Sequence, residues 1–290
     1  MKNRIIVTGG SGFIGSQLVN KLFELDHDIL NIDLKGQNNF TKNISLNNYS
    51  EIREVMIEFK PDYIVHCAGG TAEKYKNSFI DEFDHQFNGT KNISKLAMES
   101  SCKKLIFLSS DHVYYGLNDG KIVDENTNLN FLINPDKINY RYFFGLSKAL
   151  SESICLKNNN SVVLRLASIY GNGDCSNLIG EMLDQAKNYN KIEIWGDGNR
   201  KVQFTFLDDV INAIIAALEI PVGIYNISNN EKYSIKDVST IISNIFNAKI
   251  HYDLEQKEGP QFPYVSNEKF LSQTKNFLFT KIDDGIKLML

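Results

Sequence analysis

The opening of this chain narrows its possible folds more than any other stretch. A β-branched run, Arg4–Thr8 (RIIVT), leads directly into Gly9-Gly10-Ser11-Gly12-Phe13-Ile14-Gly15, and a helical pattern over Phe13–Leu25 follows at once. Gly10, Gly12 and Gly15 satisfy G-x-G-x-x-G, while Gly9, Gly12 and Gly15 satisfy the wider G-x-x-G-x-x-G. Glycine lets the backbone turn tightly and approach a pyrophosphate, whose charge is met by the N–H groups and dipole at the helix N-terminus. Gly9, Gly12, Phe13, Ile14 and Gly15 are therefore the expected contacts to a dinucleotide. An acid, Asp33, ends the second strand pattern at close to the expected distance of about 20 residues. It would accept hydrogen bonds from ribose hydroxyls and repel a 2′-phosphate, which argues for NAD over NADP, with Lys35 leaving some NADP use open.

The alternation of short apolar runs with helical stretches continues down the chain, as a parallel sheet with crossover helices requires. Strands are expected at Arg4–Thr8, Asp28–Leu34, Tyr63–Cys67, Lys104–Ser109 and Ser161–Leu166, each nearly continuous in apolar residues, as strands covered on both faces should be. Helices are expected over Phe13–Leu25, Tyr49–Phe59, Ile80–Ser101 and Tyr140–Leu156. After Gly171 the rhythm loosens: a helix near Leu178–Lys187, a strand Glu193–Trp195, the turn Gly196-Asp197-Gly198, a strand Val202–Leu207, a helix Asp208–Leu218, a strand Gly223–Ile227 and a helix Ser234–Phe246. The expected architecture is α/β, a Rossmann-type doubly wound parallel sheet with a small C-terminal α/β substrate-binding cap. Residues 1–170, with a return segment near 205–228, form the dinucleotide-binding part; 171–204 and 229–290 form the cap.

With 290 residues and a net charge of −4 without any basic run, a phosphate-backbone footprint for nucleic acid is not expected. No apolar run approaches the roughly 18 residues of a membrane span, so a soluble, cytoplasmic protein is expected. Cys67, Cys102, Cys155 and Cys175 are far apart and lack a Cys-x-x-Cys spacing, so they read as reduced thiols with no metal or disulfide role.

Several motifs recur in a fixed order: the glycine loop, Pro61-Asp62 ahead of Tyr63–Gly69, Asn88-Gly89-Thr90 with Asn92, Ser109-Ser110-Asp111-His112-Val113-Tyr114, and Gly145-Leu146-Ser147-Lys148. Together they resemble the extended short-chain dehydrogenase/reductases, the nucleotide-sugar epimerases, 4,6-dehydratases and 4-ketoreductases, and the resemblance covers essentially the whole chain. It implies hydride transfer between a sugar carbon and a nicotinamide, and adds Ala68 to the cofactor contacts. In the family a tyrosine transfers the proton, a lysine four residues later binds the ribose and lowers the phenol's pKa, and a serine orients the substrate oxygen. The matching positions are Ser110, Lys148 and Phe144: the lysine is present, the tyrosine is not. Three readings stay open. The chain is a Tyr→Phe replacement that traps a bound substrate, an enzyme in which another acid serves, with Asp111 and His112 best placed, or a non-catalytic dinucleotide binder.

The run Ser109–Gly116 looks more like that of dTDP-4-dehydrorhamnose reductase than like the Asp-Glu pair of the 4,6-dehydratases, so 4-keto reduction is expected ahead of C4 epimerisation. The family's diphosphate-binding arginine is replaced by Val202, and Arg200 is the candidate substitute, since a strand's period of two returns it to the same face. Ser168 stands where the family commonly has asparagine, and is the other expected substrate contact. The resemblance also implies a nucleoside-diphosphate sugar as ligand and a homodimer paired through the helices Ile80–Ser101 and Tyr140–Leu156.

Overall fold

Nearly uninterrupted apolar strands separated by one-sided helices can bury themselves only as a sheet covered on both faces. The computed structural model, which describes residues 2–117, 120–129, 131, 139–173 and 177–290, has that arrangement. The chain divides into two compact units, residues 1–116, 128–165 and 211–225 in one and 117–127, 166–210 and 226–290 in the other. This division differs from the stretches expected above: 117–127 and 166–170 group with the second unit, and the return segment begins at 211.

The first unit is built on strands β1 (Arg4–Thr8), β2 (Asp28–Asp33), β3 (Thr41–Asn43), β4 (Tyr63–His66), β5 (Lys104–Ser110), β7 (Ser161–Leu166) and β12 (Gly223–Ile227), in the order β12-β7-β5-β4-β1-β2-β3. The pairings of β1 with β2 and β4, of β2 with β3 and of β4 with β5 are parallel. Helices α1 (Phe13–Glu24), α2 (Tyr49–Phe59), α3 (Ala72–Asn77), α4 (Phe79–Glu99), α5 (Tyr140–Cys155) and most of α7 (Leu207–Ala216) accompany it. One core cluster runs from Ile6, Ile32 and Ile64 in the strands to Ile52, Met56 and Ile93 in the helices and on to Phe107 and Val163. The far end of this unit is stitched by Lys104, whose Nζ donates to the carbonyls of Ala217, Leu218 and Ile220 at 3.3, 2.7 and 2.8 Å.

The second unit packs α6 (Leu178–Tyr189), α8 (Ile235–Phe246) and α10 (Ile282–Leu288) around a core of Tyr170, Met182, Ile194, Phe206 and Val238. Its strands pair in twos: β6 (Ile122–Val123) with β15 (Tyr264–Val265), β8 (Ile169–Tyr170) with β11 (Thr205–Phe206), β9 (Lys191–Trp195) with β14 (Lys249–Asp253), and β10 (Lys201–Val202) with β13 (Tyr233–Ser234). The strand expected over Val202–Leu207 is thus two short ones, because Lys201-Val202 and Thr205-Phe206 find different partners. A further short helix, α9, covers Glu268–Gln273. Cys67, Cys102 and Cys155 are free thiols, while Cys175 lies outside the described residues. Among the described residues no helix is long and apolar enough to cross a membrane.

Candidate active site

Gly9 adopts φ +72°, and a Cβ there would lie 2.7 Å from the Ala68 backbone; a Cβ on Gly15 would collide with the Gly9 carbonyl oxygen. These two positions admit nothing but glycine, so the strand, the loop and α1 meet backbone to backbone. Gly12 caps α1 without a side chain, and no acid stands in the first turn. The N–H groups of Phe13, Ile14 and Gly15 begin a helix, where no intrahelical carbonyl reaches them, so they form a cradle for an anion. Asp33, at the end of β2, accepts hydrogen bonds from Ser11 N at 2.9 Å and Lys35 N at 3.2 Å, which fixes its carboxylate beside the loop. Ala68 N points at Thr8 Oγ1, 3.4 Å away, and its backbone forms the opposite wall.

The second cluster is carried by α5 and by a 3-10 turn, Asp111–Tyr114, that follows β5. Lys148 projects from α5 so that Nζ donates to Leu108 O at 3.0 Å, and it lies next to Gly69, whose added Cβ would be 3.3 Å from Nζ. Burial pulls its amine down to about 8, the Cys67 and Glu152 groups working in the other direction. Ser110 Oγ lies 3.2 Å from Asp111 Oδ1, from His112 Nδ1 and from His112 N, and His112 Nδ1 is 3.1 Å from Asp111 Oδ1. Phe144 is buried, with its ring edge-to-face against Tyr75 at 5.5 Å and against His112 at 5.1 Å. The structure therefore brings Ser110, Asp111, His112, Phe144 and Lys148 together, and links Lys148 through Gly69 and Ala68 to the glycine loop.

Behind them, Glu152, one turn beyond Lys148, forms a buried ion pair with Arg165 at 2.7 Å and accepts from Ser109 Oγ at 2.5 Å. Arg165 donates in turn to Tyr114 Oη at 2.8 Å. A backbone approach completes the contact: a Cβ on Gly145 would strike the carbonyl oxygen of His112.

In the second unit Ser168 is exposed, and its carbonyl accepts from Thr205 N at 2.8 Å. Arg200 N donates to Glu258 Oε2 at 3.1 Å, and its carbonyl accepts from Ile235 N at 3.0 Å. Glu258 also accepts from Gly198 N at 2.5 Å, so one carboxylate shapes the turn ahead of Arg200.

Two site residues escaped sequence reasoning. Asn31 on β2 is buried, its Oδ1 accepting from Gly10 N at 2.8 Å and its Nδ2 donating to Ser11 Oγ and Thr41 Oγ1 at 3.1 and 3.0 Å. A polar residue inside an otherwise apolar strand, DILNID, was the available signal. Gln86 on α4 is the other: its Nε2 donates to Thr90 Oγ1 at 3.1 Å, while Oε1, buried against Gly69, has no hydrogen-bond partner among the described residues. An orphaned acceptor beside Lys148, an uncapped helix start and a fixed carboxylate at Asp33 suit a dinucleotide: anion at the loop, ribose hydroxyls at the acceptors.

Comparison with known proteins agrees. A model of the NAD dependent epimerase/dehydratase family matches residues 5–228. The chain is 30% identical over 280 residues to a putative UDP-glucose 4-epimerase of Methanocaldococcus jannaschii, covering 88% of this chain and 87% of that one. It is 25% identical over 274 residues to the dTDP-4-dehydro-6-deoxyglucose reductase of Escherichia coli, covering 86% and 83%. In fold it is similar to the Bordetella bronchiseptica enzyme WbmG, solved with NAD and UDP, at a TM-score of 0.85 and 20% identity over 100% of this chain and 93% of that one. With the family model spanning the glycine loop, the Ser110 turn and Lys148, the chain belongs to the NAD-dependent epimerase/dehydratase family.

Proposed function

We propose that this protein reduces the 4-keto group of a nucleoside-diphosphate sugar, using NAD(H). The observation that carries the reading is the grouping of Ser110 and Lys148 at the end of β5, joined through Gly69 and Ala68 to a glycine loop built to hold a pyrophosphate. The first-turn amides of α1 would hold the pyrophosphate and Asp33 the adenosine ribose. Lys148 and the Gln86 Oε1 acceptor would take the nicotinamide ribose hydroxyls. When bound, the nicotinamide supplies or takes a hydride; Ser110 Oγ orients the sugar oxygen. Ser168 and Arg200 are the candidates for the nucleotide half of the ligand. Both relatives are named for nucleotide sugars, one as a putative UDP-glucose 4-epimerase and one as a dTDP-4-dehydro-6-deoxyglucose reductase, and UDP accompanies NAD in the Bordetella structure.

Reduction is favoured over epimerisation by the run Ser109–Gly116, which resembles that of dTDP-4-dehydrorhamnose reductase; loss of the phenol at Phe144 removes the same proton carrier from either reaction. The 30% identity to a putative epimerase supports C4 epimerisation as the second reading. A silent NAD-linked binder is the third, supported by the same Phe144. Mixing the protein with NADH and a panel of UDP- and dTDP-linked 4-keto sugars, and separately with NAD and the corresponding 4-hydroxy sugars, separates them. Stoichiometric loss of NADH absorbance is the expected result; a C4-inverted product with the cofactor retained indicates the epimerase, and NAD binding without either reaction overturns both.

A homodimer is part of the same reading. Phe79, Ile80 and Met98 of α4 and Leu150 of α5 are exposed apolar side chains on the two helices that the family pairs across a two-fold axis.

A further inference from the structure

Replacing the family tyrosine by phenylalanine removes a proton carrier, yet the side chain beside the phenyl ring is itself titratable. The 3-10 turn Asp111–Tyr114 sits directly on α5, because Gly145 leaves its backbone room beside the His112 carbonyl. That contact sets the imidazole edge-to-face against the Phe144 ring, 5.1 Å between centroids. Nδ1 of the imidazole is 3.1 Å from Asp111 Oδ1 and 3.2 Å from Ser110 Oγ, and Ser110 Oγ is itself 3.2 Å from Asp111 Oδ1. A carboxylate only accepts, so Nδ1 carries the hydrogen in the neutral ring and Nε2 is the basic nitrogen. The His112 and Asp111 side chains are 20% and 11% exposed, so the ring keeps a path for proton exchange with solvent.

From this geometry we infer that His112, oriented by Asp111, is the group that exchanges the proton with the sugar oxygen, in place of the phenol that Phe144 lacks; the assignment rests on the oxidoreductase reading above. In the reductive direction C4 gains the hydride supplied by a reduced nicotinamide, and the carbonyl electron pair moves onto the oxygen. The imidazolium Nε2–H then passes its proton to that oxygen. A hydroxyl and a neutral imidazole result, the nicotinamide is left oxidised, and a solvent proton recharges the ring.

The neighbouring tyrosines Tyr75 and Tyr142 are packed into the core, and Cys67 is a raised-pKa thiol. Tyr75 Oη donates to Ser147 Oγ at 2.8 Å, and burial pushes it up to about 12. Tyr142 is buried edge-to-face against Phe131 and Phe143, and burial likewise holds the Cys67 thiol at about 12. The charged groups on the elements against the turn are Arg141, Lys148 and Glu152 from α5 and Arg165 from β7, Arg141 pairing with Glu73 at 3.6 Å. Glu152 and Arg165 neutralise one another, Tyr114 takes an Arg165 hydrogen, and Lys148 donates to the Leu108 carbonyl.

The test compares parent, His112→Gln, Phe144→Tyr and the double variant. In His112→Gln the single-turnover rate of ketone reduction is expected to fall by about 10²–10⁴-fold and to lose its decline toward alkaline pH, while calorimetric NAD and UDP affinities stay within about twofold. The double variant is expected to regain activity through the new phenol. A readout independent of turnover is the ¹⁵N-histidine spectrum of the parent at alkaline pH, which should show the Nδ1-protonated tautomer for the resonance absent from His112→Gln. Retention of the rate within about threefold in His112→Gln overturns the assignment, as does the Nε2-protonated tautomer. A parent that binds NAD but turns over only as Phe144→Tyr overturns both the assignment and the reductase reading of this chain, whereas an active parent whose rate survives in His112→Gln overturns the assignment alone. Inactivity of both forms overturns both.

Discussion

At the scale of single residues, the cofactor side of the site is held by a buried chain of hydrogen bonds through Thr8, His66 and Thr90. Thr90 Oγ1 donates to Gln86 O at 2.7 Å, so it accepts from His66 Nε2 at 3.0 Å, and His66 Nδ1 accepts from Thr8 Oγ1 at 2.6 Å. His66 is therefore neutral and buried, and burial drags its pKa from 6.5 to about 3. The unfolded chain then binds more protons than the folded one between those values, so this contribution is complete above pH 6.5 and is lost as pH falls toward 3. Urea denaturation between pH 7 and 4 should show stability falling by up to about 1.4 kcal/mol per pH unit from this group, and His66→Asn should flatten that dependence. Asn31 gives a second prediction. Asn31→Val orphans the Gly10 amide, a cost of about 1–3 kcal/mol, and should weaken NAD binding by about tenfold or more in a calorimetric titration.

Whole elements were more legible than their contacts. The strands and helices of the first unit follow from apolar runs and one-sided periodicity, and α1, α2, β1, β4, β5 and β7 stand within a residue or two of where the pattern puts them. The two-residue strands β6, β8, β10, β11, β13 and β15 carry no period of their own; only their partners define them. The helix α3, residues Ala72–Asn77, was hidden for the same reason: its one fully buried anchor is Tyr75. In the site, glycines, Asp33, Ser110 and Lys148 were readable as motifs, but Asn31 and Gln86 matter through what they face. Packing of α5 on its neighbours gives two tests. Gly145→Ala, which puts a methyl against the His112 carbonyl, should lower turnover by more than tenfold with NAD affinity retained. Arg165→Met, which strands the buried Glu152 carboxylate, should destabilise by about 3–5 kcal/mol in denaturant titration, and Glu152→Leu in the same chain should restore most of it.

For the molecule as a whole, a net charge of −4 gives an anionic ligand no general attraction, so the proposed reading puts its hold on local donors: loop amides, Lys148 and Arg200. Raising ionic strength should therefore weaken NAD binding only modestly, and light scattering should report a dimer, with Ile80→Glu and Leu150→Glu together giving monomers. The Lys104 stitch bears on how such a chain is made. Its ammonium is shared by three carbonyls from residues 217–220, and the sheet's outer strand β12 begins only at Gly223, though most of the sheet is encoded before Arg165. A fragment ending at Arg165 would carry every cofactor residue named here, yet expose β7 as an open edge and leave the amine without its acceptors. A nascent chain thus cannot finish its first unit until nearly half of the second has been synthesised, so the cofactor-binding half should resist expression as an independent piece.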